Sequence, residues 1–418
     1  MFKNYICGVD IGSSKVSAVL AKLDKKRITN FYFETLDSKG VKAGAIIDSI
    51  ELTACVERLL KKLKTDSGIN IKLIHANISG QDIIAKHSRA ILPLAERGNK
   101  VITLSDMYKA NGMARILGSN LEEEIIHQMP YSYSIDSQGD ILNPLGLYSH
   151  RLEVDLFLIS AKMSSVQRLT RVINQAGYEI KDLFFSGIAT SRAVFGKEIK
   201  DGVNCLCDIG SDITEVLIFK EGLLKSIEIL PQGGDDLTRE ISTVLKIPFE
   251  LAEEVKKSHS SIGDFSLIDE AKEILIKKNN IYKPIKQKMV SEIVTAKAKS
   301  LCQNIKEAIE KTLPANHLDN FVVCGRSVLL DGFLETLENG LGISVKLARI
   351  NNPEISRLVN KSEALSGQKY LAYITPLGII CQIMQLEDPY FLSSNHQPTR
   401  NLFLRFLNRA KEVYQEYF

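Results

Sequence analysis

The arrangement of apolar and polar residues predicts a mixed α/β chain that carries one strand–loop–strand unit twice. Near the start, an apolar strand leads into the polar loop Asp10–Lys15, and the alternating residues Val16–Leu20 follow it. In mid-chain, the loop Asp208–Thr214 lies between similar strands. Because alternation with a period of two is typical of strands, each unit predicts a β-hairpin. We expect the two hairpin loops to be facing halves of one binding site.

Other elements follow from the same patterns. Apolar residues recur at helical spacing in residues 48–64, whereas residues 71–78 predict a strand. Residues 81–160 mix short strands and helices, and this change indicates an insertion into the first half. Residues 258–313 are rich in lysine, and we predict that they are helical and mostly solvated. The remaining predictions are strands at 28–33, 152–160 and 321–327, helices at 164–176, 186–195 and 234–245, and further helices from 248 and from 375.

Both loops carry residue types that bind phosphate and a divalent cation. Glycine lets the backbone turn tightly and present N–H groups to phosphate oxygens, to which the neighbouring hydroxyls can also donate. Lys15 can reach the phosphates as a point charge, and Asp10 and Asp208 suit Mg²⁺, which usually takes one or two carboxylates. A strand follows each loop, whereas P-loops and dinucleotide-binding loops open a helix. The alternative is two ordinary hairpins with Asp-Gly turns, but the duplication favours a phosphate site.

Three later segments add weaker signals of the same chemistry. Leu230–Asp235 is a glycine turn that opens a helix, an arrangement that can bind phosphate or ribose. The next helix places Glu253 and Lys256 on one face, where a surface ion pair is the alternative interpretation. A third segment, Cys324–Ser327, is a turn at the end of an apolar strand. None of these segments identifies a ligand by itself.

Composition and charge exclude several function classes. The net charge of +3 over 418 residues is too small to indicate nucleic acid binding, and no basic run with interleaved aromatic residues occurs. No apolar run is long enough to cross a bilayer, and the first residues lack the apolar core of a signal peptide. The seven cysteines are scattered, so we expect reduced core residues of a cytoplasmic protein. The seven histidines form no cluster typical of a metal site.

The last residues of the sequence predict an amphipathic helix on a tether. Residues 387–400 are polar and rich in helix breakers, which is typical of a linker. At about 100° per residue, the apolar side chains of residues 401–418 share one side, with the exception of Leu404, and Arg409 and Lys411 flank that side. This pattern favours a helix in a membrane interface, with docking on the protein's own core as the alternative. The residues that we expect to contact lipid are Leu402, Phe403, Phe406, Leu407, Val413, Tyr414 and Tyr417.

As an ordered set, the two hairpins and the three later segments resemble the actin/Hsp70/hexokinase ATPase superfamily. Within it, the chain resembles the FtsA family of bacterial cell-division proteins. This closer match rests on Ser79-Gly80, on His127–Pro130, Tyr133–Asp136 and Asn143–Gly146 in the insertion, on Leu230–Thr238, and on the tethered C-terminal helix. The resemblance covers nearly the whole chain.

The resemblance implies an α/β fold class, namely a two-lobed actin-like ATPase fold with a small α+β inserted subdomain and a C-terminal amphipathic helix. ATP would lie between the lobes. The implied boundaries are 1–80 with 161–198 for the first lobe, 81–160 for the inserted subdomain, 199–386 for the second lobe with a helical outer subdomain at 228–313, 387–400 for a linker, and 401–418 for the membrane-targeting helix.

The resemblance also implies the site residues. The two hairpins would contact the phosphates and Mg²⁺, and the turn at 233–235 would lie near the ribose and phosphates. Glu253 and Lys256 would reach the adenosine, and the turn at 325–327 would border the adenine; no residue is assigned a catalytic role. The implied ATP-binding residues are Asp10, Gly12, Ser13, Ser14, Lys15, Asp208, Gly210, Ser211, Thr214, Gly233, Gly234, Asp235, Glu253, Lys256, Gly325, Arg326 and Ser327, with Asp10 and Asp208 holding Mg²⁺ through water.

A further implication concerns partners and location. Members of the family polymerise on membranes and tether the tubulin-like division protein FtsZ. We therefore expect a peripheral protein on the cytoplasmic face of the cell membrane at the division site. The expected partners are the C-terminal peptide of FtsZ, further copies of this chain, the inner-membrane lipid surface, and other divisome proteins that contact the inserted subdomain.

The chain departs from the family pattern at a few positions. Ser211 and Asp212 replace two glycines of the second loop, so a carboxylate would repel phosphate unless a cation intervenes. Arg326 replaces a glycine of the adenine turn, where it could stack on the base or block it. The helix that begins near Ser186 lacks the Gln or Glu that relatives use to position the attacking water. Because phosphoryl transfer depends on positioning, we expect at most a weak ATPase.

Three alternatives stay open at this point. A pilus-assembly ATPase of the PilM type would share the fold, although the insertion and the terminal helix favour FtsA. An adaptor paralogue that binds no nucleotide would fit the altered second loop. A small-molecule kinase is a weaker alternative, because the sequence offers no carboxylate base for a hydroxyl beside the γ-phosphate.

Overall fold

The computed structural model describes residues 4–25, 27–95, 98–136, 138–195, 201–263, 272–278, 281–352, 355–357 and 365–385. The strands are β1 (Tyr5–Ile11), β2 (Lys15–Asp24), β3 (Arg27–Asp37), β4 (Val41–Lys42), β5 (Ala45–Ile46), β6 (Leu73–Ile78), β7 (Ile83–Pro93), β8 (Lys100–Val101), β9 (Glu123–Ile135), β10 (Gln138–Ile141), β11 (Tyr148–Ser149), β12 (Arg151–Lys162), β13 (Glu179–Phe185), β14 (Val203–Ile209), β15 (Thr214–Lys220), β16 (Leu223–Leu230), β17 (Glu273–Lys278), β18 (Ile281–Lys286), β19 (Asn320–Cys324) and β20 (Val345–Leu347). The α-helices are α1 (Ser49–Ser67), α2 (Leu104–Leu117), α3 (Met163–Gln175), α4 (Ser186–Val194), α5 (Gly234–Leu245), α6 (Phe249–His259), α7 (Gln287–Glu310), α8 (Phe333–Leu341) and α9 (Ile374–Gln385).

Two five-stranded sheets have the same topology, which confirms the predicted duplication. One sheet has the order β3-β2-β1-β6-β13 and the other has the order β16-β15-β14-β19-β20. In each, three antiparallel strands are followed by two strands parallel to the first strand of the hairpin. We call the parts of the chain that carry these sheets the first and the second lobe.

A third sheet, with the order β10-β9-β12-β7, forms a separate layer between residues 83 and 162. Helix α2 packs against it through Ala110 and Ala114, which share a core with Leu152 and Leu156. Helix α2 begins with a reciprocal capping box, in which Thr103 and Asp106 each accept a hydrogen bond from the backbone N–H of the other. The inserted segment therefore has its own hydrophobic core, as its change of sequence pattern indicates.

The predicted helices form where their apolar stripes meet a sheet. Helix α1 buries Leu52, Val56 and Leu59 on the face that the sequence pattern predicts. The Asp48 side chain accepts hydrogen bonds from two N–H groups of the first turn and so caps this helix. Local capping and burial on one face both specify α1, which explains why its position is predictable from sequence.

Helix α9 packs against β1 and α4. Gly378 lets the two helices approach closely, because a Cβ at this position would lie 1.8 Å from the Ala189 carbonyl oxygen. The Leu377 and Ile380 side chains join a core cluster with Val19 of the first sheet. A late segment of the chain thus completes the core of the first lobe.

The prediction for residues 258–313 is wrong in part. Strands β17 and β18 pair as an antiparallel hairpin in this segment, and α7 buries a long apolar face that includes Val294 and Leu301. The lysines mask a short run of β-branched residues, and a strand of six residues is too short for a clear periodic signal. The predicted linker at 387–400 and the predicted helix at 401–418 lie outside the described residues.

Among the described residues, no helix has both the length and the hydrophobicity that spanning a membrane requires.

The contact between α9 and α4 is testable by substitution. Gly378→Ala should lower the free energy of unfolding by about 1–3 kcal/mol, because a backbone oxygen occupies the space of the new methyl group. Gly112→Ala is the matched control in α2, where open space surrounds the glycine, and it should be neutral or stabilise by about 0.5–1 kcal/mol. Urea denaturation measures both. Equal stability of the Gly378 variant and the wild type would contradict the close helix contact.

Candidate functional site

A cleft between the two lobes brings together the loops that the sequence analysis singled out. Its volume is about 220 Å³. The predicted site residues that line it are Asp10, Gly12, Ser13, Ser14, Lys15, Asp208, Gly210, Ser211, Asp235, Glu253, Lys256, Gly325, Arg326 and Ser327. Most of the predicted set therefore converges on one cavity, although its members are spread over more than three hundred residues of chain.

The two hairpin loops have the same backbone geometry. The Gly12 N–H donates to the Lys15 carbonyl at 3.0 Å, and the Gly210 N–H donates to the Ile213 carbonyl at 2.9 Å. A Cβ would lie 3.1 Å from the acceptor oxygen at Gly12 and 2.9 Å from it at Gly210. Each loop closes over its own glycine, so the repeated Asp-Ile-Gly-Ser pattern encodes a repeated turn.

A hydrogen-bond network fixes Asp10 in the first half-site. One carboxylate oxygen accepts from Lys15 Nζ at 2.5 Å and the other accepts from Asn77 Nδ2 at 2.7 Å. The Asn77 side-chain oxygen accepts the Ile11 N–H at 2.6 Å. The sequence analysis missed Asn77, although it lies near the carboxyl end of β6, which is parallel to β1 and adjacent to it. Asp10 is thus held in one orientation toward the cleft.

Asp208 provides the matching carboxylate of the second half-site. Burial raises its pKa, and the negative charge of Asp10 raises it further. A divalent cation between the two carboxylates would relieve this repulsion. No group of three or more His, Cys, Asp or Glu side chains suited to a metal occurs among the residues with described positions. Two carboxylates fit Mg²⁺, which keeps several of its waters.

Asp212 has cationic and hydrogen-bonding partners of its own. Its Oδ1 lies 3.5 Å from Arg239 Nη1, and its Oδ2 accepts the Ala43 N–H of the opposite lobe at 3.0 Å. The cation that the sequence analysis required beside this carboxylate is therefore a side chain of α5. The Ala43 contact also makes Asp212 a direct link between the lobes.

Gly233 and Gly234, at the start of α5, pack against the backbone of the second loop and do not line the cleft. The Gly234 N–H donates to the Gly210 carbonyl at 2.9 Å, and a Cβ on Gly233 would lie 2.6 Å from the same oxygen. Thr214 is fully buried, and its hydroxyl donates to the Gln232 carbonyl at 2.8 Å. Thr214, Gly233 and Gly234, which the sequence predicts as site residues, therefore contact the backbone around the second loop and do not line the cleft.

Lys256 and Glu253 form an ion pair, but Lys256 is not on the surface. It is only 4% exposed, and its ammonium group donates to the Gly234 carbonyl at 2.9 Å, to Thr238 Oγ1 at 2.7 Å and to Glu253 Oε2 at 2.6 Å. Burial lowers the pKa of Lys256, while Glu253 opposes this shift. Burial raises the pKa of Glu253, but hydrogen bonds from Lys256 and Thr238 outweigh this effect and lower that pKa to about 2. The pair ties α6 to α5 beside the cleft.

Glu215 is a cleft residue that the sequence analysis missed. It is 3% exposed and lies opposite Asp208 in the β14–β15 register. Its Oε1 accepts from the Ser79 hydroxyl of the first lobe, and its Oε2 would lie 3.0 Å from a Cβ on Gly187 in α4. Burial raises the pKa of Glu215 to about 8, and Asp208 contributes. The signal was a glutamate directly after Thr214 inside an apolar strand.

Arg326 reaches across the mouth of the cleft. Its Nη2 donates to Ser14 Oγ in the first hairpin loop at 2.9 Å. The guanidinium thus lies at a predicted phosphate loop of the opposite lobe, although its backbone belongs to the turn that follows β19.

Two family models match separate parts of the chain. The model described as "Cell division protein FtsA" matches residues 205–370. The model described as "SHS2 domain inserted in FTSA" matches residues 80–160. The two matches together cover the second lobe and the third sheet.

Curated relatives extend the similarity to almost the full length. The "Cell division protein FtsA" of Buchnera aphidicola subsp. Baizongia pistaciae is 24% identical over 417 residues, which cover 97% of this chain and 96% of the relative. The protein of the same name from Bacillus subtilis is 24% identical over 345 residues, which cover 82% of this chain and 78% of the relative.

Solved structures with low sequence identity share the fold. A "PilM-PilN type IV pilus biogenesis complex" chain aligns with a TM-score of 0.61 and 16% identity, covering 91% of this chain and 98% of its own. The structure of MreB5 of Spiroplasma citri bound to ADP aligns with a TM-score of 0.51 and 12% identity, covering 92% and 98%. These likenesses, together with the inserted-domain match, confirm the predicted actin-like ATPase fold with an inserted subdomain.

The raised pKa of Glu215 generates a prediction about stability and pH. Its folded-state pKa of about 8 lies above the usual 4.5, so the folded protein binds a proton that the unfolded chain releases. Stability is therefore lost as the pH rises from the lower value to the higher, by at most about 1.4 kcal/mol per pH unit. Glu215→Gln removes this loss while keeping an acceptor for Ser79. Its stability relative to the wild type should rise between about pH 6 and about pH 8.5.

The measurement is urea unfolding across that pH range in buffer with EDTA. Glu254→Gln, at an exposed position of α6, is the matched control for loss of one carboxylate. A difference between Glu215→Gln and the wild type that stays constant with pH would show that Glu215 is ionised in the folded protein.

Proposed function

We propose that this chain, which belongs to the FtsA family of cell-division proteins, is an ATP-binding and membrane-associated scaffold that polymerises and tethers FtsZ filaments. Its place would be the cytoplasmic face of the cell membrane at the division site. Nucleotide binding is supported by the pair of matching hairpin loops that meet at one cleft. The role in cell division is supported by the similarity to the FtsA family.

The charges in the cleft support a nucleotide bound together with Mg²⁺. Six carboxylate side chains and four cationic side chains line the cleft. A polyphosphate would meet this excess of negative charge unless a divalent cation accompanied it. We infer that Asp10 and Asp208 hold Mg²⁺ through water while the hairpin loops bind the phosphates. The MreB5 structure, which has the same fold, is bound to ADP, and this supports nucleotide binding by the present chain.

We expect slow hydrolysis at most. Glu215 of β15 lies against Gly187 at the start of α4, and in the absence of a metal, burial raises its pKa to about 8. A protonated carboxyl group cannot accept a proton from an attacking water. The nucleotide would then act as a switching or structural ligand rather than as a substrate that is turned over rapidly.

Membrane attachment and partner binding rest on separate features. The amphipathic pattern of residues 401–418 and the polar tether before it support reversible attachment to lipid. The part of the second lobe around residues 237–313 would bind the C-terminal peptide of FtsZ. Ile116, Leu117 and Leu121 are exposed on the third sheet's layer, which supports contacts of the inserted subdomain with further copies or other divisome proteins.

Binding of ATP should stabilise the wild-type protein. At saturating Mg-ATP, a ligand that binds only the folded state adds about 2.7 kcal/mol at a concentration 100 times its Kd, and the melting midpoint should rise by a few degrees. Asp10→Asn should remove most of this rise because it weakens the metal half-site. Asp66→Asn, at an exposed position of α1, should keep it. Thermal unfolding measures all three, and no shift of the wild type in millimolar Mg-ATP would favour a nucleotide-free adaptor.

The tether function can be tested by sedimentation with anionic liposomes. The chain should bring FtsZ filaments down with the liposomes. Phe406→Glu/Val413→Glu should abolish this co-sedimentation, because it places two charges on the apolar side of the terminal segment. Asn408→Glu/Gln415→Glu adds the same charge on the polar side and should keep most of it. Equal effects of both double variants would contradict a membrane helix, and pelleting of the chain without FtsZ would contradict the tether.

A further inference from the structure

The mouth of the cleft contains Arg326, an exposed cationic residue whose two sequence neighbours are closely packed. Gly325 has a φ of +101° and packs so closely on β14 that a Cβ would lie 2.0 Å from the Ile209 carbonyl oxygen. On the other side, Ser327 packs on α5, where a Cβ on Gly234 would lie 1.9 Å from the Ser327 hydroxyl. Arg326 lies between these two anchored neighbours. Its backbone therefore has little freedom to move relative to the second loop.

The exposed side chain of Arg326 makes a hydrogen bond to the opposite lobe at its far end. Its Nη2 donates to Ser14 Oγ at 2.9 Å, and Ser14 is held in turn because its carbonyl accepts the Ser38 N–H at 3.1 Å. Lys15, the other cation of this loop, is the residue after Ser14. The first hairpin loop therefore has two cations beside it, the ammonium group of its own Lys15 and the guanidinium group of Arg326 from the opposite lobe.

The chemistry of the guanidinium group indicates what it binds there. It carries five N–H donors in a planar fork, which matches the geometry of phosphate oxygens, and the bond to Ser14 uses one of them. The bond to Ser14 places the guanidinium at the first hairpin loop, for which we predict phosphate binding. The direction of Arg326 toward Ser14 therefore favours phosphate over base.

We propose that Arg326 is a specificity-determining residue that selects a nucleoside triphosphate over a nucleoside monophosphate. It contacts the outer phosphates at the first hairpin loop from the opposite lobe. This inference rests on the proposed function, since it assumes that a nucleotide occupies the cleft. It adds that the phosphate chain, and not the base, is what Arg326 recognises.

Isothermal calorimetry with ATP, ADP and AMP in the presence of Mg²⁺ tests the proposal on the full chain. Arg326→Gln removes the charge and the fork and shortens the side chain. It should weaken ATP binding about tenfold or more and leave AMP binding within about twofold. Arg326→Lys keeps the charge without the fork and should give an intermediate loss for ATP. Arg58→Gln, at an exposed position of α1, is the control for removal of one positive charge and should match the wild type.

The possible failures are distinguishable. A wild type that binds none of the three nucleotides overturns the proposed function, and this inference with it. A wild type that binds ATP, with an Arg326→Gln variant that weakens ATP and AMP by the same factor, overturns the inference alone and assigns Arg326 to the base or ribose. Tighter ATP binding by Arg326→Gln also overturns it, because Arg326 would then block the cleft.

Discussion

The concentration of carboxylates between the two lobes is the constraint around which the other polar groups of the cleft are arranged. Asp10 has Lys15 and Asn77 as partners, and Asp212 has Arg239. Glu253 is paired with a buried lysine, and Glu215, which lacks such a cation among its described partners, has a pKa raised to about 8. Asp208 has the charge of Asp10 close by. The excess of negative charge supports the proposal that a polyphosphate binds in this cleft together with a divalent cation.

The two lobes repeat one topology but have diverged at the loops. Both turns close with the same N–H to carbonyl bond, at Gly12 and at Gly210. The residue that accepts it is Lys15 in the first loop and Ile213 in the second, so only the first loop carries its own cation. The second loop instead carries Asp212, which links the lobes through Ala43. Similar backbones therefore contribute different chemistry to one site.

Much of the fold was predictable because periodic patterns and local signals agreed. The hairpin around Gly12 has a clear alternation, and α1 has both an apolar stripe and its Asp48 cap. The hairpin β17–β18 was missed because it is short and rich in lysine. Asn77 was missed because it reaches the cleft through the pairing of β6 with the distant strand β1, which a local pattern does not encode. Glu215 lies within the predicted second hairpin, but its burial against Gly187 of α4 is a tertiary contact that the local pattern does not encode either. The turn at 233–235 was predicted from the sequence, but its two glycines pack against the backbone of Gly210 and do not line the cleft.

Helix α9 has a consequence for the order in which the chain can fold during synthesis. The first strand needs α9, because Gly8 packs on the Pro376 carbonyl, where a Cβ would lie 2.6 Å away, and Val19 shares a core with Leu377. A nascent chain must therefore leave one face of its first sheet uncovered until residues 374–385 have emerged from the ribosome. The segment at 401–418, with its amphipathic sequence pattern, follows shortly afterwards. Completion of the first lobe and emergence of this amphipathic segment are thus nearly simultaneous events in the synthesis of each molecule.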